Sequence, residues 1–208
     1  MRNISLFALI LALLYGNYAA AAGTVGTVQK KQFDTPTIGE YGVSLKAVSS
    51  APSGDIANVY NGAIGVELTP VYRNFLFDDF DVSAFGSYFN YTGKANSSNS
   101  LTTINLGVLG RYNFRVEGVP GVVFAEAGGG FSLQNQTIAG IGFDNIDPIY
   151  RAGAGYEVNI AENINLLAGL NYNYLPEKGI AGATRDGSFF NICLGVSYEF
   201  YGENRRKK

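Results

Sequence analysis

The chain has 208 residues, a formal net charge of −2, 27 glycines, 14 tyrosines, 14 phenylalanines, one cysteine and neither histidine nor tryptophan. The near-neutral charge gives nucleic acid no electrostatic footprint, and one cysteine allows no internal disulfide. The lack of histidine removes the usual zinc ligand and the usual general base of hydrolases.

In chain order, Met1–Arg2 precede an apolar run from Ile4 to Gly16 and then Ala19–Ala20–Ala21–Ala22–Gly23. A basic start, a short apolar stretch and small residues predict a secretory signal peptide over 1–22. The run is shorter than the roughly 20 residues that a spanning helix needs. Residues 23–37 read as a periplasmic lead-in, 38–200 as one domain and 201–208 as a basic tail ending Arg205–Arg206–Lys207–Lys208.

Within 38–200 the apolar period is two, the mark of strands with one greasy face and one polar face. Eight strands are predicted, at 38–48, 60–70, 77–91, 101–114, 121–133, 149–159, 163–174 and 188–200. The last reads SFFNICLGVSYEF, with Phe190, Ile192, Leu194, Val196, Tyr198 and Phe200 on one face. In the third, Phe80, Val82 and Ala84 are followed by Phe85, Phe89 and Tyr91 on the opposite parity, which predicts a bulge. The connections at 49–60, 92–100, 134–148 and 175–187 are polar and long; those at 115–120 and 159–163 are shorter, with a longer one near 69–78.

The apolar face carries aromatics at both ends: Tyr60, Tyr88, Tyr91, Tyr150, Tyr172, Tyr174 and Phe190 at the loop end. At the turn end stand Tyr41, Phe80, Tyr112, Phe114, Tyr156, Tyr198 and Phe200. Two aromatic girdles around an aliphatic band predict a lipid-facing surface. The expected fold is all-β, a closed antiparallel eight-stranded transmembrane β-barrel. A secreted ligand-carrying barrel, apolar inside, lacks a reason for the girdles.

The other face carries Glu40, Lys46, Glu67, Asp81, Arg111, Glu126, Arg151, Glu157 and Glu199 among Gly and Asn. In a narrow interior these read as an ion-pair network, with Arg111 expected among Glu67, Asp81 and Glu126. No catalytic, cofactor or metal site is read. Gly128–Gly129–Gly130 and Gly153–Ala154–Gly155 lie within strands and open no helix, so no phosphate cradle is formed. Asp144, Asn145 and Asp147 read as a solvated turn, and Cys193 as a small interior filler.

With its signal peptide, its alternating strands and the closing Tyr198–Glu199–Phe200, the chain resembles the small OmpA-type or OmpX-type outer-membrane barrels of Gram-negative bacteria. The resemblance implies an outer-membrane location, outer-membrane lipid and lipopolysaccharide as surroundings, and Tyr198 and Phe200 as a signal read by the barrel assembly machinery. It also implies a non-enzymatic surface protein without a cofactor, serving envelope integrity or presenting the four long connections for adhesion or host contact. The alternative is transport, through a narrow cation-preferring pore or a hydrophobic-solute channel similar to the OmpW type.

Overall fold

A computed structural model describes residues 41–176 and 187–200. The signal peptide, the lead-in, Glu40, the basic tail and most of the connection at 175–187 lie outside the described residues.

Eight antiparallel strands close on themselves: β1 (Tyr41–Ser53), β2 (Ala63–Tyr72), β3 (Phe80–Thr92), β4 (Ser100–Phe114), β5 (Val122–Ile138), β6 (Ile141–Ala161), β7 (Ile164–Leu175) and β8 (Gly187–Phe200). Each pairs with its sequence neighbours, and β1 pairs with β8 from Tyr41↔Phe200 to Ser53↔Ser188, so no edge is left open. Full closure satisfies the backbone where no water can, which lipid requires of any spanning sheet.

Alternation sorts the side chains. Leu106, Val108, Leu194 and Val196 are exposed on the outer wall, whereas Lys46, Glu67, Asp81, Arg111, Arg151, Glu157 and Glu199 are buried inside. Pro70 lies on the outer face of β2. It has no N–H to give, and the ladder from β2 to β3 lacks pairs at Thr69 and Pro70.

Two expectations are corrected. β3 contains no bulge: its register with β4 runs unbroken from Phe80↔Tyr112 to Thr92↔Ser100. Phe85, Phe89 and Tyr91 therefore point inward, and Tyr60 with them, so none of these belongs to the lipid girdle. The one register shift among the described strands falls between Asn159 and Ala161, where β6 meets β7. The stretch 134–148, expected as a loop, is instead a continuation of β5 and β6 up to a two-residue turn at Ala139–Gly140. Both turn residues have positive φ (50° and 81°), as a type I′ hairpin turn demands.

Candidate functional site: a filled lumen beneath a projecting hairpin

The interior has two fillings. At the loop end it is apolar: Phe89, Tyr91, Leu101, Ile149, Leu175 and Phe189 form one cluster with Ile56 and Tyr60 from the first long connection. Tyr60, Phe89 and Tyr91 are only 1%, 1% and 2% exposed, so they leave no room for a water column. Their polar tips are used as well, since Ser50 Oγ lies 2.7 Å from the Tyr91 hydroxyl and Gln136 donates to that of Tyr60. Burial pushes the Tyr60 phenol up, against the lowering effect of the Gln136 hydrogen bond.

Toward the turn end the filling is ionic and forms two groups. In the first, Lys46 donates to Glu67 at 2.8 Å, and Arg151 approaches the same carboxylate at 2.8 Å from the opposite wall. Lys46 and Glu67 are direct cross-strand partners on β1 and β2, so the register itself brings them together. In the second, Arg73 donates to Asp81 at 2.8 Å, to Glu157 at 2.8 Å and to Glu199. Arg111 completes that group by donating to Glu157 and to Asn113 (2.8 Å), with its Nε 3.8 Å from Asp81. Asn165 and Ser197 donate to Glu157 Oε1, and Asn165 also to Glu199 Oε1, the same oxygens that Arg73 meets. All these charges are desolvated, so each carboxylate must be met by a donor.

Arg111 thus lies within ion-pair distance of Asp81, but among the described residues it forms no ion pair with Glu67 or Glu126. Glu67 is taken by Lys46 and Arg151. Glu126 is the cross-strand partner of Arg111 and half-buried, yet it makes no ion pair among the described residues. The reason is visible in the aromatic rings. Arg111 lies over the Phe124 ring at 3.8 Å and Arg151 over Phe85 at 4.1 Å, which aims each guanidinium across the barrel. Each ring in turn faces a glycine on the adjacent strand, Phe124 opposite Gly155 and Phe85 opposite Gly107. A Cβ on Gly155 would meet the Phe124 ring at 2.4 Å, and one on Gly107 would meet the Phe85 ring at 2.5 Å. Glycine, ring and guanidinium form a stack that fills the narrow cross-section.

The most connected cation, Arg73, is absent from the sequence-predicted set. It follows β2, where the inward positions Ala63, Gly65, Glu67, Thr69 and Val71 run on to Arg73 without a break. That continued alternation was the available signal.

An apolar wall of eight closed strands around a filled interior defines a small transmembrane β-barrel of the outer-membrane type. No family model matches the chain, and no curated protein matches it in sequence. Among solved structures it is similar to Neisserial surface protein A (16% identity over 77% of this chain and 97% of that one, TM-score 0.62). It is also similar to Ail, the attachment invasion locus protein of Yersinia pestis (15%, 79% and 100%, TM-score 0.54). A major outer membrane protein from Thermus thermophilus gives 12%, 77% and 99%, with TM-score 0.52. The fold is that of the small OmpA/OmpX-type outer-membrane barrels, with the apolar outer wall that such barrels turn to lipid.

Proposed function

We propose that this is a non-enzymatic surface barrel that contributes to envelope integrity and presents its loop-end connections, above all the β5–β6 hairpin, for adhesion or host contact. The observation that carries the reading is the pairing of a filled lumen with a hairpin that outgrows it. β5 and β6 run for 17 and 21 residues, the longest of the eight strands. Outside the apolar positions Leu133 and Ile146 the wall turns polar at Asn135 and Asp144, and further ladder pairs follow to Ile138↔Ile141. At about 3.3 Å per residue that is roughly 10 Å of rigid ribbon beyond the lipid. Ile141 and Phe143 stand exposed on it, an unusual place for apolar side chains unless something covers them.

Ail has been crystallised with the heparin analogue sucrose octasulfate (16% identity, TM-score 0.51). A comparable site on this chain would need clustered cations, whereas its described outer connections carry Lys94 against Asp55 and Asp144. A partly apolar protein surface suits Ile141 and Phe143 better than a polyanion does. The filled interior speaks against the transport reading. Outer-membrane lipid and lipopolysaccharide are the expected surroundings, and outward Tyr198 and Phe200 fit a signal for the assembly machinery.

The test deletes residues 136–143, leaving Asn135–Asp144 as a two-residue turn. Cells displaying the shortened barrel should keep it assembled and lose adhesion to host cells and matrix. Undiminished adhesion, or solute uptake in vesicles by the intact protein, would overturn the reading.

A further inference from the structure

The turn from β2 to β3 does not behave like the short polar turns expected at that end of a barrel. It reads Arg73–Asn74–Phe75–Leu76–Phe77–Asp78–Asp79, and its three central side chains are 49%, 69% and 51% exposed. Arg73 and Asn74 turn under the barrel and are buried, with the Asn74 N–H donating to Asp81 at 3.1 Å. Asp79 faces Arg115 of the neighbouring turn at 3.3 Å. Asn74 and Asp79 take positive φ (51° and 66°), a region both residue types tolerate, and these two bends throw the intervening segment outward.

Where the segment goes is fixed by its ring contacts. Phe75 packs edge-on against Tyr72 with centroids 5.8 Å apart, and Tyr72 meets Tyr41 at 4.9 Å. Phe77 stacks on Phe80 at 5.0 Å and lies 6.4 Å from Tyr112, which meets Phe114 at 4.9 Å. Tyr41, Tyr72, Phe80, Tyr112 and Phe114 all have outward parity on their strands. The turn therefore divides as the wall does, polar inward and apolar outward, and its apolar side is continuous with the turn-end girdle.

We propose that Phe75, Leu76 and Phe77 form an interfacial anchor, inserted among the headgroups and upper acyl chains of the leaflet at the turn end of the barrel. The occupant is lipid because these rings lean on side chains that lipid already covers. Aromatic and aliphatic groups of this kind favour the membrane–water boundary over either bulk phase. A protein partner would first have to strip lipid from the girdle.

The chain has no tryptophan, so one introduced indole reports its own surroundings without background. Leu76→Trp in the full-length protein, folded into phospholipid vesicles, tests the anchor, with Glu117→Trp on the exposed β4–β5 turn as the aqueous reference. The expected result is blue-shifted emission that lipids brominated near the carbonyl quench several-fold more strongly than in the reference. Iodide present on both sides of the membrane should barely quench it. Emission and iodide quenching equal to those of Glu117→Trp would overturn the proposal. So would an indole shielded from both quenchers, which would mean a protein covers the turn. If Leu76→Trp fails to fold, Phe75→Trp carries the same measurement.

Discussion

Replacing Arg73 by alanine is the sharpest test of how the lumen is held together. Arg73 is the shared donor to Asp81, Glu157 and Glu199. Its removal leaves three buried carboxylates with Arg111 as the remaining cation of their group. Hydrogen bonds to charged groups are worth about 1.5–3 kcal/mol each, but they are not additive. Breaking a buried ion pair from one side costs about 3–5 kcal/mol, so about 4 kcal/mol is expected, close to a thousandfold in the folding equilibrium. Arg115→Ala removes an exposed pair with Asp79 and should cost about 0–1 kcal/mol. Urea unfolding in lipid vesicles, followed by far-ultraviolet circular dichroism and by heat-modifiable gel migration, compares the two. Arg73→Met fills the volume yet should be nearly as damaging, and adding Glu199→Gln should recover part of the loss. Equal, small losses for Arg73→Ala and Arg115→Ala would refute the view that this network stabilises the barrel.

Leu106→Arg puts a charge on the outer wall between the two girdles. It should cost about 2–4 kcal/mol in vesicles, as for cations near the midplane of other barrels; no loss there would remove lipid from that face. Phe124→Ala takes away the ring between Gly155 and Arg111 and should cost about 3–5 kcal/mol in the same unfolding assay. A neutral result would mean that the glycine–ring–guanidinium stack contributes only shape.

The strands were legible because the outer wall imposes one rule, apolar at every second residue, over the whole width of the membrane. Leu106, Val108, Leu194 and Val196 obey it and face outward. Where lipid stops, the rule stops. Residues 134–148 lose the alternation because water wets both faces of the ribbon above the membrane, and a strand that mixes Gln134, Asn135 and Asp144 with Ile141 and Phe143 carries the same composition as a loop. The inward aromatics of β3 escape the rule for a related reason. A large apolar side chain in such a strand reads as lipid-facing, although Phe85 and Phe89 fill space left by Gly107 and Gly65 on adjacent strands. That complementarity links residues distant in sequence, and one chain read alone does not display it. Of the charged residues read as lumenal, Lys46, Glu67, Asp81, Arg111, Arg151, Glu157 and Glu199 are buried, but Arg73 was missed and the pairs were not legible. Arg151 and Glu67 meet across the barrel, and strand order gives only neighbours along its wall. Arg73 falls at a boundary, since Pro70 reads as the end of a strand that in fact runs past it.

An ion crossing this barrel would meet the aromatic filling and the charged filling in succession. Conduction would demand that both be displaced in the same molecule at the same instant. If each displacement costs about 3 kcal/mol, each filling stands open in roughly one molecule in 10², and both together in roughly one in 10⁴. Leakage is then the product of two small probabilities. A substitution that ruins one filling leaves the wall as tight as the other filling makes it.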